Sequence, residues 1–222
     1  MILYAIPTPL GNTPQGALPA PAISQIQGIT DFLVENAKSA RAFLGALEMP
    51  VRELSIRVIG EDPDPLAPLR QKRPLGLLSE AGCPAIADPG AQVIEAAHRE
   101  GFRVVPLVGP SSMVLALMAS GLEGQRFAFC GYLPREDAER KKRIRELEAR
   151  SRKEKETEIF IETPYRNDAL LSALLETCKS STRLCVAADL TLPGETITTK
   201  RVADWRYAPI GRRPAVFLLL AE

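Results

Sequence analysis

A chain of 222 residues, 45% apolar and 25% charged, carries enough hydrophobic material for a sizeable core, and its composition excludes wholesale disorder. A formal net charge of +1 excludes bulk electrostatic attraction to nucleic acid or to an anionic membrane as an organising feature. Four scattered cysteines (Cys83, Cys130, Cys178 and Cys185) and one histidine, His98, match neither a zinc-ligand spacing nor a disulfide framework, so no bound metal is expected.

In chain order, Ile2–Ile6 is an apolar strand stopped by Pro7-Thr8-Pro9. Asp31–Glu35 is a second short run, and Ser39–Leu47 puts Ala40, Phe43, Leu44 and Leu47 on one helical face. Leu75–Leu78 predicts a third strand, followed by a loop rich in Gly and Pro. Ala91–Arg99 reads as a helix with Asp88 as N-cap and Pro89 at its first position, and Arg103–Val108 as the next strand. Apolar strands separated by helices predict a mostly parallel sheet.

Pro110-Ser111-Ser112 then opens a small apolar helix to about Ser120, which Gly121 ends. Phe127–Tyr132 is a strand closed by Pro134. From Arg135 to Glu158 ten basic and eight acidic residues surround Ile144 and Leu147, which suits either a solvated helix with internal ion pairs or a basic edge facing an anionic substrate. Glu158–Glu162 (strand), Tyr165–Thr177 (helix) and Arg183–Ala188 (strand) follow. Glu195–Arg201 alternates with period two, as a half-exposed antiparallel strand does, and Pro214–Leu220 is the last strand. The pattern predicts two α/β domains: residues 1–110 with a mostly parallel sheet, and 111–222 with a mixed one. No apolar run reaches the roughly 18 residues of a membrane span, and Met1-Ile2-Leu3-Tyr4 lacks the basic start of a secretory signal, so a cytoplasmic protein with no membrane contact is expected.

Three loops rich in Gly and Pro follow strands in the first half: 6–12 (IPTPLGN), 79–90 (SEAGCPAIADPG) and 108–112 (VGPSS). In open α/β sheets ligands sit at the carboxyl ends of strands, where glycine permits close backbone approach and proline fixes the loop beforehand. The loops read as one ligand cleft or as ordinary turns. Neither the dinucleotide nor the P-loop glycine fingerprint occurs. The acid Glu80, exposed backbone groups and a helix start suit a ligand with one carboxylate, one cation and an apolar ring. Ser111 and Ser112 lack a nucleophile elbow, and His98 falls late in a helix as a surface residue. Cys83 is either a reactive thiol or a small residue packed beside the ligand.

The loops carry a resemblance. Pro7-Thr8-Pro9-Leu10-Gly11-Asn12, Glu80-Ala81-Gly82-Cys83-Pro84 with Asp88-Pro89-Gly90, and Gly109-Pro110-Ser111-Ser112 occur in the order seen in the tetrapyrrole methylase superfamily of S-adenosylmethionine-dependent methyltransferases. Gly131-Tyr132-Leu133-Pro134, Glu162-Thr163-Pro164-Tyr165-Arg166 and Ala187-Ala188-Asp189-Leu190-Thr191 extend it over the whole chain. The sequence resembles, in a short form, the branch of bacterial small-subunit rRNA (cytidine 2′-O)-methyltransferases. It departs from that branch at Glu35-Asn36-Ala37-Lys38, where the family has Glu-Asp-Thr-Arg, and at Leu192, where the family has Lys.

The resemblance implies a two-domain tetrapyrrole methylase-like fold, a homodimer, and S-adenosyl-L-methionine folded in the cleft between the domains. The cofactor-binding positions it implies are Pro9 and Leu10; Glu80, Ala81, Gly82, Ile86 and Ala87; Ser111 and Ser112; and Thr163, Leu190 and Pro214. Asn12, Arg41, Tyr165 and Arg166 fall at substrate positions, the two arginines as phosphate or carboxylate holders or as plain surface residues. Glu35 and Glu80 are the carboxylates considered for taking the proton of a hydroxyl acceptor. The acceptor is rRNA or the small ribosomal subunit, with a small molecule or a tetrapyrrole as alternatives. A module that binds S-adenosylmethionine or RNA without turnover is the reading from another class.

Overall fold

The computed structural model describes residues 1–11 and 13–222. They form two compact units, Met1–Ser111 and Ser112–Glu222.

The first unit runs β1 (Ile2–Ile6), α1 (Pro14–Ala17), α2 (Ala20–Gln27), β2 (Asp31–Val34), α3 (Ala37–Ala46), β3 (Ser55–Val58), α4 (Ala67–Arg70), β4 (Leu75–Leu78), α5 (Ala91–Arg99) and β5 (Arg103–Pro106). Its five strands are all parallel, in the order β3-β2-β4-β1-β5. β2 and β4 are buried on both faces, as the apolar stretches Phe32–Val34 and Leu75–Leu78 require. One face packs Ile6, Ile26, Phe32 and Leu44; the other packs Leu3, Leu33, Leu69 and Leu77. This order places the ends of β1, β2 and β4 side by side, and the ligand loops leave from β1 and β4.

Two helix N-termini of this unit differ from the sequence expectation, one in its first residue and one in its cap. α3 begins at Ala37 rather than Ser39, because Asn36 caps it: its Oδ1 accepts from the amides of Lys38 at 2.8 Å and Ser39 at 3.3 Å. α5 is not capped by Asp88. Its N-cap is Gly90 at φ 127°, a left-handed value that turns the chain before the helix and leaves the Asp88 carboxylate out of the cap. β5 stops at Pro106, two residues short of the expected end.

The second unit runs α6 (Ser112–Ser120), β6 (Phe127–Tyr132), α7 (Asp137–Glu154), β7 (Thr157–Ile161), α8 (Asn167–Thr177), β8 (Arg183–Ala188), β9 (Thr196–Arg201) and β10 (Ala215–Leu220). Its sheet order is β6-β7-β10-β8-β9; β6 and β7 are parallel, and β10 is antiparallel to both β7 and β8. The mixed sheet is the one expected from the sequence. Phe160 and Phe217 stack with centroids 6.0 Å apart in a core that also holds Ile144 and Leu147 of α7. The charged run is a helix laced with ion pairs: Lys141 to Asp137 at 2.9 Å, Lys141 to Glu176 at 2.8 Å, and Arg143 to Glu146 at 3.2 Å.

Candidate active site

In the first unit the three loops meet. Thr8 and Gly82 exchange both backbone hydrogen bonds, at 2.8 and 3.0 Å, so the loop after β1 is clasped to the loop after β4. Gly82 has φ +78°, and a Cβ placed there would lie 3.4 Å from the Leu10 side chain and 3.8 Å from the Pro110 carbonyl oxygen. One glycine therefore borders the first and third loops together. Gly109 is tighter still: a Cβ there would fall 2.5 Å from Pro7, which no real side chain tolerates. Ala85 and Ala87 both hold φ 65°, a left-handed value costly for alanine, in the same loop. Such strain persists where the surroundings over-determine the backbone, as they do at ligand clamps.

Carboxylates gather at the same strand ends. Glu35 follows β2, and its Oε2 accepts the Glu80 amide at 3.1 Å, fixing the start of the second loop. The Glu80 carboxylate is exposed and accepts from the Ser39 hydroxyl at 3.4 Å. Asp88 is half-buried. Burial, then the charges of Glu35 and Glu80, push its pKa up from 3.8 to about 6. The three acids thus share one negative field, and Asp88 is the member that sequence reasoning spent on a helix cap. The Cys83 thiol is likewise pushed up by burial and by Asp88, and its Sγ lies 3.4 Å from the Pro110 carbonyl oxygen. That is the packed residue of the two sequence readings, since a thiolate nucleophile needs a lowered pKa.

A test of this cluster follows from proton linkage. The folded protein holds the Asp88 proton more tightly than the unfolded chain, so ionising it works against the fold. Stability of the protein relative to Asp88→Asn is expected to fall as pH rises from about 4 to about 6, then to level off. Urea unfolding of both proteins across that range checks it. A difference that does not change with pH would show Asp88 to be an ordinary surface acid.

The other expected positions fall as follows. Pro9 and Glu80, with Thr8 and Phe43, line a pocket of about 260 Å³ beside α3. Ala81, Ile86 and Ala87 are exposed along the second loop, and Leu10 and Ser111 are half-buried. A second pocket, of about 510 Å³, holds Asp88 and Pro89 with the start of α5. Arg41 is exposed, and among the described residues its guanidinium reaches only the Ala37 carbonyl of its own helix, at 3.4 Å. Asn12 lies outside the described residues. Among those described, no three side chains of His, Cys, Asp or Glu are gathered as a metal ion requires.

In the second unit Ser112 starts α6 and is half-buried. Thr163 and Arg166 sit at the end of β7. Arg166 is committed to the protein: Nη2 donates to Oε1 of the fully buried Glu162 at 2.5 Å, and Nε to the Thr163 hydroxyl at 3.1 Å. The expected phosphate holder is therefore half of a buried ion pair. Tyr165 is exposed, its ring beneath the Arg166 guanidinium at 5.7 Å. Leu190 and Pro214 come together, since the Asp189 amide donates to the Pro214 carbonyl at 2.9 Å. Asp189 and Thr191 hold φ of 52° and 71° around the buried Leu190, and Arg213 braces the turn through Asp189 at 2.6 Å.

The sequence profile of the family described as Tetrapyrrole (Corrin/Porphyrin) Methylases matches residues 61–205. The chain is 30% identical over 227 residues to the ribosomal RNA small subunit methyltransferase I of Vibrio cholerae, covering 100% of this chain and 77% of that protein. It is 32% identical to the Bacillus subtilis protein of the same name over 79% of this chain and 59% of that one. Among solved structures it is similar to the methyltransferase CobJ, with a TM-score of 0.64 and 17% identity over 99% of this chain and 93% of that one. It is also similar to the uroporphyrin-III-C-methyltransferase of Thermus thermophilus, with a TM-score of 0.55 and 21% identity over 99% and 91%.

Proposed function

The chain belongs to the tetrapyrrole (corrin/porphyrin) methylase family, and from that premise we propose that it methylates ribosomal RNA of the small subunit at a ribose 2′-hydroxyl, with S-adenosylmethionine as donor. The observation that carries the RNA acceptor is the identity of 30% along the whole chain to an enzyme named for small-subunit rRNA. The solved neighbours, the methyltransferase CobJ and a uroporphyrin-III-C-methyltransferase, share the fold at only 17% and 21% identity.

The first unit's loops fit the donor. The opening beside Gly82 is one that a Cβ would begin to fill, and the negative field of Glu35, Glu80 and Asp88 suits a cation. When bound, S-adenosylmethionine supplies an electrophilic methyl carbon on a sulfonium. The protein's part is alignment. The Thr8–Gly82 clasp and the strained Ala85 and Ala87 hold the loop backbone in place before any ligand arrives, which is entropy paid in advance. Glu35 anchors the amide of Glu80 and so aims that residue's carboxylate. Glu80, exposed at the pocket rim, is the group placed to take the acceptor's hydroxyl proton. Leu10 and Ile86 offer apolar surface to a purine ring.

The test is incorporation of tritiated methyl groups, with assembled small subunits, naked rRNA and a metabolite extract offered in parallel. Label in the RNA of the particle or in naked rRNA is expected. Glu80→Gln is expected to lower kcat by roughly 10²–10⁴-fold while S-adenosylhomocysteine binds as before. Label confined to the metabolite extract would replace RNA with a small-molecule acceptor.

A further inference from the structure

The second unit carries a pocket of about 450 Å³ at the carboxyl ends of the parallel pair β6 and β7, lined by Tyr132, Leu133, Pro134, Arg135, Thr163 and Arg166. We propose that this pocket receives one unstacked nucleotide of the RNA substrate, its base against Tyr132 and its phosphate on Arg135; the assignment rests on the RNA reading above.

Three features point to a nucleotide. Tyr132 ends an edge strand and is 55% exposed, so a ring face is open to the pocket. Bases of any identity stack on such a face. Arg135 is exposed, and its guanidinium has no acidic partner among the described residues, as is also true of Lys142 and Arg145 on the helix that follows, but of the three only Arg135 lines the pocket. It is a charge held at a pocket mouth and not used by the fold. Arg166 forms another wall. Its Nη2 and Nε are spent on Glu162 and Thr163, while its Nη1 is buried with no partner among the described residues. A small shift of the Arg166 side chain would bring that donor to the in-plane ring nitrogen or carbonyl that every nucleobase carries.

Charge separates a nucleotide from the cofactor as occupant. The pocket contributes one uncompensated positive charge, since Arg166 is neutralised by Glu162. A phosphodiester gains from it, whereas a sulfonium ligand is repelled. Leu133 and Pro134 are fixed at the end of β6, with Leu133 buried in the core, so the platform is rigid before RNA binds.

The two exposed side chains give different signatures in one experiment. Binding of the assembled small subunit and of a 12-nucleotide single-stranded RNA is measured as a function of salt, with S-adenosylhomocysteine affinity as control. Tyr132→Ala is expected to weaken RNA on the order of tenfold or more with the salt slope unchanged, and Tyr132→Phe to restore it. Arg135→Ala is expected to reduce the slope of log K against log salt by roughly 0.7, the contribution of one phosphate on a single strand. Both variants are expected to bind S-adenosylhomocysteine like the parent. If the parent binds RNA and both variants match it, the pocket is not an RNA site. If they lose S-adenosylhomocysteine in step with RNA, the pocket belongs to the cofactor. If the parent binds neither RNA, the RNA reading falls and this assignment falls with it.

Discussion

Gly82→Arg is expected to abolish binding of S-adenosylmethionine while the chain still unfolds as a cooperative unit. The glycine's Cβ direction leads between Leu10 and the Pro110 carbonyl, into ordinary contact at 3.4 and 3.8 Å, so the first side-chain atom fits and the rest of an arginine would fill the opening between the loops. The residue also sits at φ +78°, which adds about 1–2 kcal/mol of strain for any L side chain. That cost is too small to unfold a chain of this size, so the loss concentrates on the ligand. A cation at position 82 opposes a second cation beside the acidic cluster as well. Gly82→Ala separates the two effects: it carries the strain without the bulk and is expected to keep measurable affinity. Calorimetry with S-adenosylhomocysteine decides it. Unchanged binding by Gly82→Arg would move the cofactor site away from these loops.

The second large effect is on stability. Arg166→Ala is expected to cost about 3–5 kcal/mol, because it strands the Glu162 carboxylate, which has no solvent exposure, without its cation. Arg166→Met paired with Glu162→Gln is expected to recover most of the loss, since a neutral pair has no charge to strand. Urea unfolding of the single and double variants measures this. If Arg166→Ala keeps full stability and loses RNA affinity instead, the arginine is a free substrate ligand, as the family resemblance implies.

Arg166 illustrates what the sequence makes legible. An arginine in a Pro-rich loop looks available; only the burial of Glu162 four residues earlier shows that its charge is taken. Strands such as Leu75–Leu78 and Arg183–Ala188 were readable to the residue because burial on both faces leaves an unbroken apolar run. β3 left no such trace: it is an edge strand, half-exposed, with Arg57 turned to an ion pair with Asp62. The helices Pro14–Ala17, Ala20–Gln27 and Ala67–Arg70 each carry a proline in the first turn and are too short for a periodicity to emerge. The loops of the candidate site stood out because Gly and Pro mark the places where side chains and backbone hydrogens had to be given up. Asp88 was misread because an Asp-Pro pair looks like a helix start. The turn at Gly90 delays that start, and its φ cannot be seen in a one-letter code.

Strand order carries a consequence for how the protein is made. In the first unit β1 is synthesised first, but its neighbours are β4 and β5, so it waits unpaired until about residue 78 has left the ribosome and gains its second partner only at about residue 106. In the second unit the delay is sharper: β10, Ala215–Leu220, is the middle strand, hydrogen-bonded on both sides, and joins the sheet after β7 and β8 have long emerged. Until then the inner edges of β7 and β8 face each other across a vacant slot, two apolar strands with open backbone donors and acceptors. The second unit thus closes only once Ala215–Leu220 have emerged, and until then its nascent form is exposed to misassembly.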